Sequence, residues 1–327
     1  MSAVASILLC VAALLALGIV GIATPRPLTA TRLVYGGTGL VCLAAASMAF
    51  ALLATGAPPA EITLPLALPW VGAGFRIDSL SAFFLLVVDL GGAASALYGI
   101  GYGAHEKEPR RVLPFFPTFL AGMNLVLLSA DAFSFLLSWE FMSLASWALV
   151  MAHQEEENRR AGYVYIVMAS LGTMALLMAF GILAGTDGGF SFEAMRHSVH
   201  APQMVMLVVI LALLGAGSKA GLVPLHAWLP LAHPAAPSHV SALMSGVMTK
   251  VAVYAFIRIL FDLCGGLPWW AGLLVLLAGG ISAALGVLQA VMQDEPKRLL
   301  AFSTIENIGI VFVGLGLALA FRSNGMV

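Results

Sequence analysis

GAGSKAGLVPLHAWLPLAHPAAPSH, residues 215–239, is the stretch on which the fold turns. It holds four prolines and three histidines, and its single Lys or Arg is Lys219. It joins two long apolar runs, yet it is too apolar itself for a water-exposed loop. Proline removes a backbone donor and interrupts the helical ladder. In hydrocarbon the freed carbonyls need partners inside protein or a wet cavity. The stretch therefore reads as a helix that breaks near Pro224 and re-enters the membrane, an arrangement that builds ion sites in transporters. A simple proline-kinked helix is the plainer alternative.

The rest of the chain has the same character. Of 327 residues, 61% are hydrophobic and 9% charged, where a soluble domain carries about 25% charge. A soluble fold could not hide that apolar surface, so the bilayer is its solvent. A spanning helix needs about 20 apolar residues. Ten runs qualify: 2–23, 33–55, 79–102, 113–130, 132–152, 162–185, 203–223, 238–262, 268–292 and 299–321. Pro/Gly/charge clusters separate most of them, among them PRP at 25–27, GAPPAE at 56–61, HEKEPRR at 105–111 and HQEEENRR at 153–160. The fold class is an all-α polytopic membrane protein with about ten transmembrane helices.

The first run begins at Met1 with no Lys or Arg before it, which predicts a retained span rather than a signal peptide. Odd-numbered connections carry Arg26, Arg32, Lys107, Arg110, Arg111, Arg159, Arg160, Lys297 and Arg298; even-numbered ones and the C-terminal end carry Arg76, Arg196, Arg258 and Arg322. The positive-inside rule then puts the odd loops in the cytoplasm and the N-terminus outside the cell inner membrane. A net charge of -1 gives no basic field for nucleic acid. Cys10, Cys42 and Cys264 lie far apart in apolar runs, so the chain is expected to hold no disulfide, cluster or metal of its own.

Ionisable groups inside spans carry the functional signal, because a charge at the bilayer centre costs at least a few kcal/mol. Glu140 lies near the middle of the fifth run, between Trp139 and Phe141. Lys219 precedes the break, flanked by Gly217 and Gly221. Lys250 lies near the centre of the eighth run. Glu306 lies in the tenth, about two turns from the basic pair Lys297–Arg298. Asp89 lies within the third. His226, His233 and His239 line the broken segment, and imidazoles relay protons near neutral pH. His239 and Lys250 are about three helical turns apart and so are expected on one face. Each also has a structural reading: a hydrogen bond to a neighbouring helix for Glu140 and Asp89, snorkelling for Lys219, satisfaction of freed backbone groups for the histidines. Together they make a chain of titratable groups of the kind found in proton relays. No cofactor ligand set accompanies them, so no redox step is expected in this chain.

The stretch 217–254, GSKAGLVPLHAWLPLAHPAAPSHVSALMSGVMTKVAVY, resembles the antiporter-like membrane subunits of respiratory complex I and of sodium/proton antiporter complexes. SWEFMSLASWALV matches the acidic fifth helix of that family. AHPAAPSHVSALMSG and DEPKRLLAFSTIENIGI resemble most the branch formed by the large membrane subunits of group 4 [NiFe] hydrogenases, the hydrogenase 4 component B and formate hydrogenlyase subunit 3 type. Complex I relatives usually carry His near the position of Glu306, so Glu favours this branch.

The resemblance implies roles residue by residue. Glu140 is the acid of the fifth helix, Lys219 the lysine of the broken seventh proposed to pair with it, Lys250 the base of the eighth, and His239 part of the connecting polar axis. It also implies two inverted five-helix repeats, helices four to eight and nine to thirteen. On that scheme residues 1–110 are the N-terminal helices, 111–263 the first repeat and 264–327 the start of a second. Relative to the family pattern the chain is expected to be C-terminally truncated. The implied function is a proton-translocating subunit of a membrane-bound redox complex, a group 4 hydrogenase or formate hydrogenlyase. Its expected partners are other membrane subunits and a soluble redox arm that hold the NiFe and Fe–S cofactors. A sodium/proton antiporter subunit, a complex I subunit and a structural anchor stand as alternatives.

Overall fold

A computed structural model of the chain describes residues 2–24, 27–65, 72–106, 108–185 and 188–326. Arg26 and Lys107, which enter the loop-charge count, lie outside the described residues. Among those described, ten helices are long and apolar enough to cross a membrane: α1 Ala3–Ala23, α2 Leu28–Thr55, α3 Ser79–His105, α4 Pro109–Leu128, α5 Ala132–Val150, α6 Glu156–Ala184, α7 Pro202–Ala220, α8 Ser238–Leu263, α9 Trp269–Val291 and α10 Pro296–Ser323. The chain is a multi-pass membrane protein, and its ten spans coincide with the ten apolar runs. Some of them reach further than the apolar runs do. Arg159 and Arg160 sit in the first turns of α6 behind Glu156 and Glu157, and Lys297 and Arg298 in the first turn of α10. Acids at the start of α6 favour its N-terminal dipole.

The chain divides into two compact units, one of residues 1–162 with 235–251, the other of 163–234 with 252–327. In the first, α4 is the central span, with 78% of its apolar window buried against 28% for α2. Phe116, Phe119, Leu120 and Met123 of α4 and Phe135, Trp139 and Met142 of α5 fill its core. Exposed Ile19, Leu40 and Leu97 give α1, α2 and α3 outward apolar faces of the kind that meets hydrocarbon.

An antiparallel pair between α2 and α3 has no counterpart among the apolar runs. Its strands are β1 Ala60–Leu64 and β2 Ala73–Ile77, registered Ala60↔Ile77 to Leu64↔Ala73. At five residues each, they are too short for their alternation to stand out from a Pro- and Gly-rich loop. Their edge is not left open. Ala130 N–H donates to the Gly74 carbonyl at 2.9 Å, and Gly74 N–H donates to Asp131 Oδ2 at 2.8 Å. Asp131 is the N-cap of α5, accepting from Ser134 N–H at 2.7 Å. The hairpin thus pins the start of the helix that carries Glu140.

In the second unit α9 and α10 pack as a tight pair. Gly272, Gly279 and Gly286 recur at seven-residue spacing on α9, and Gly309 and Gly316 do so on α10, a repeat that keeps one stripe facing one partner. A Cβ on Gly279 would stand 2.6 Å from the Gly309 carbonyl oxygen, whereas one on Gly280 would meet nothing within 4 Å. Gly279→Val is therefore expected to destabilise this pair by about 1–3 kcal/mol through overpacking. Gly280→Val serves as the near-neutral control, both read from thermal unfolding of the chain in detergent.

Candidate functional site

Three of the expected groups belong to the first unit. Glu140 is half-buried on α5, one position past the fully buried Trp139, whose indole stacks on Phe135 at 5.6 Å. His239 stands at the start of α8, 2% exposed. Its Nε2 and the Tyr35 hydroxyl of α2 share a hydrogen bond of 2.7 Å, and the rings of Tyr35, Tyr102 and Phe116 surround it at 5.2–5.4 Å. Lys250 is half-buried further along α8, and its Nζ donates to the Ser245 carbonyl at 3.0 Å.

Between His239 and Lys250 the helix widens. Residues Met244–Met248 form a π-turn in which Thr249 N–H reaches back five residues to the Met244 carbonyl. The extra residue rotates the remainder of α8 by about 100°, so the straight-helix register that would align His239 with Lys250 does not hold. The widened turn has a local use. The Ser245 carbonyl lies open to side chains, accepting both Lys250 Nζ and the Thr249 hydroxyl, the latter at 2.7 Å. Periodicity could not reveal this, because a π-turn has no sequence signature that separates it from a continuing helix.

The second unit holds the break. α7 ends at Ala220, where Gly221 adopts φ +87°, a left-handed conformation that glycine alone takes at no steric cost. Leu222 N–H closes back on the Gly217 carbonyl at 2.9 Å. The helix therefore stops about one turn earlier than Pro224 suggested, at the glycine rather than the proline. Beyond it, backbone groups find protein partners, as hydrocarbon requires. Val223 N–H donates to Ser282 Oγ of α9 at 3.0 Å, and Trp228 Nε1–H donates to the Ser218 carbonyl at 2.8 Å. A short helix comes next, Leu229–Ala235, and Lys297 Nζ donates to the Pro234 carbonyl at 3.4 Å.

Lys219 occupies the last turn of α7 and is 4% exposed, which rules out snorkelling. Its Nζ stands 5.5 Å from the centroid of the Tyr165 ring, within cation–π range. Tyr165, Ala169, Ser218 and Trp228 join it around a cavity of about 10 Å³, of the order of one water. His226 is half-buried in the broken segment and His233 is 2% exposed in the short helix. Of the three histidines, His239 belongs to the first unit and the other two to the second. Glu306 is half-buried on α10, its backbone pressed against Gly286 of α9.

One charge cluster escaped sequence reasoning. Arg258 lies inside α8, 5% exposed, and not in a loop. Its Nη1 donates to Asp262 at 2.8 Å and its Nε and Nη2 donate to the Tyr254 hydroxyl at 3.2 Å. Arg196, from the short helix Phe192–His197, grips the same carboxylate in a bidentate fork at 2.7 and 2.8 Å. The i, i+4 spacing of Arg258 and Asp262 at the end of an apolar span was the available signal.

Comparison with known proteins places this geometry. Residues 129–326 match the family described as NADH:quinone oxidoreductase/Mrp antiporter, TM. Hydrogenase-4 component B of Escherichia coli is 42% identical over 275 residues, 82% of this chain and 39% of that protein. The chain spans about half the length, or less, of the curated relatives it matches. Among solved structures, the Mrp complex of a Dietzia species superposes with a TM-score of 0.82 at 22% identity, over 95% of this chain and 34% of that one. The membrane-bound sulfane sulfur reductase, an archaeal respiratory membrane complex, does so at 0.79 and 22%, over 96% and 64%. At that identity the two structures establish a common fold.

The Arg–Asp–Arg cluster yields a stability prediction. Asp262→Asn leaves two guanidiniums facing each other and is expected to cost about 1–3 kcal/mol, below the cost for a fully buried pair because Asp262 is partly exposed. The thermal midpoint in detergent reads it, and Glu193→Gln, which alters the exposed contacts to Arg196 and His197, is expected to change that midpoint little.

Proposed function

We infer that this chain, which belongs to the NADH:quinone oxidoreductase/Mrp antiporter membrane family, is the proton-handling membrane subunit of a redox complex of the group 4 [NiFe] hydrogenase type. The observation that carries the reading is Lys219: an ammonium buried deep in an apolar span, at a helix break, beside an aromatic cavity with room for one water. Nearby charges set how tightly a buried group of this kind holds its proton, so the proton moves when their field changes. In this mechanism Lys219 carries the exchangeable proton, the charge of Glu140 governs how tightly it is held, and Lys250 and His239 take it onward, with His226, His233 and Glu306 as further stations. Electrostatic control of this kind is strong in a low-dielectric interior, where a few Å changes a pair energy by several kcal/mol.

The kinship with hydrogenase-4 component B supports a complex in which partner subunits hold NiFe and Fe–S centres and a soluble arm supplies electrons. We read residues 1–110 as N-terminal helices, 111–263 as one five-helix repeat and 264–327 as the start of a second. We place the chain in the inner membrane with its N-terminus outside. Substituted-cysteine labelling checks the last point: Ser198→Cys is expected to react with an impermeant reagent added outside, and Asp294→Cys only after permeabilisation.

The central test uses the full-length subunit in its complex. Lys219→Met and Glu140→Gln are each expected to lower redox-driven proton translocation at least about tenfold, the effect of ~1.4 kcal/mol on a barrier, while hydrogen-linked electron transfer continues. Undiminished translocation in both variants sinks the reading. The family match to Mrp antiporters favours one competing reading, a sodium/proton exchanger. That reading requires sodium-dependent exchange in vesicles with no redox partner present.

A further inference from the structure

The first unit contains a second ionisable group that the proposed proton line does not use. Asp89 lies in the middle of α3 with 0% exposure. Asn124 of α4 donates from Nδ2 to its Oδ1 at 3.0 Å, and the Cys42 thiol of α2 is hydrogen-bonded to it. Cys10 of α1 lies within its electrostatic reach, and Val247 of α8 packs beside the neighbouring Gly91. Among the described residues no cationic side chain pairs with it. Gly92, the next turn of α3, lets this arrangement close, since a Cβ there would stand 3.0 Å from Cys42 Sγ and 2.8 Å from Leu120.

Three buried oxygens in this region have no hydrogen-bond partner among the described residues: Asp89 Oδ2, Asn124 Oδ1 and Thr38 Oγ1. Buried polar atoms are almost always satisfied, by protein, by water or by a proton. A neutral Asp89 keeps the bond from Asn124 at Oδ1 and leaves no charge on the unpartnered Oδ2. The ionised form would stand as an uncompensated charge in hydrocarbon. Thr38 supplies the direction of approach. Tyr35, Thr38 and Cys42 are spaced i, i+3, i+7 and so share one face of α2. At one end of that face Tyr35 is bonded to His239; at the other Cys42 touches Asp89.

We propose that Asp89 is a proton-binding site of this chain, held as the neutral acid and reached from His239 along the Tyr35, Thr38 and Cys42 face of α2. A proton arriving at His239 Nε2 passes to the Tyr35 oxygen as the Tyr35 proton moves on. It travels by water at Thr38 and ends on a carboxylate oxygen of Asp89. The reverse sequence empties the site. This does not depend on which ion the complex moves or on any redox partner.

The test is infrared spectroscopy of the full chain in lipid vesicles at near-neutral pH, with carbon-13 in the aspartate side-chain carboxyls. A neutral-acid C=O band that shifts with the label is expected in the unsubstituted protein, an arm that no folding defect can obscure. The band should vanish in Asp89→Asn and persist in Glu140→Gln. Tyr35→Phe should slow its deuterium exchange about tenfold, the effect of one hydrogen bond lost from the route. Only ionised aspartate bands in the labelled protein, or a band that survives Asp89→Asn, overturns the site. Exchange unchanged in both Tyr35→Phe and Thr38→Val overturns the route. Neither result bears on the transport variants, so the two readings fail separately.

Discussion

Hydrocarbon offers no hydrogen bonds, and most of the irregular structure here answers that constraint. Where α7 stops at Gly221, the freed groups are met by Ser282 from α9 and by the Trp228 indole. Where the chain forms a hairpin, its edge is taken up by Ala130 and by Asp131, the same residue that caps α5. Where α8 widens, the exposed Ser245 carbonyl is taken by Thr249 and Lys250. Each irregularity has a specific partner standing ready.

The charges differ in the groups that meet them. Asp262 is gripped by two arginines, one bidentate, and Arg258 also meets a tyrosine hydroxyl. Such a network holds its protons and fixes the end of α8 against the helix Phe192–His197. Lys250 has a carbonyl dipole, which favours an ammonium without the depth of a carboxylate. Lys219 lies over the face of Tyr165, beside a cavity with room for one water.

The conformations adopted at these places obey the same logic. A helix with a left-handed glycine stop and a helix with a π-turn both turn backbone polarity outward within apolar spans. That polarity is what a transient proton or water needs and what a regular helix lacks. The glycine stripe joining α9 and α10 supplies the opposite, a close and regular pair on which Ser282 is carried to the break.

By itself the amino-acid sequence determined the class and count of elements, because apolar run length is a one-dimensional property and the bilayer reads it directly. It also marked Glu140, Lys219, Lys250 and the broken segment, since a charge or a proline cluster in an apolar run is conspicuous wherever the run packs. Long specific motifs over 138–150 and 217–254 placed the chain in its family. Only the tertiary structure decided what each group faces. The partnership of Tyr35 with His239, the two arginines on Asp262, and the meeting of Cys42, Asp89 and Asn124 join residues far apart in the chain, and no local pattern records them. The break at Gly221 rather than Pro224 and the widened turn before Lys250 were likewise settled by packing. Several backbone paths satisfied the same local sequence, and the partners available in the folded bundle selected one.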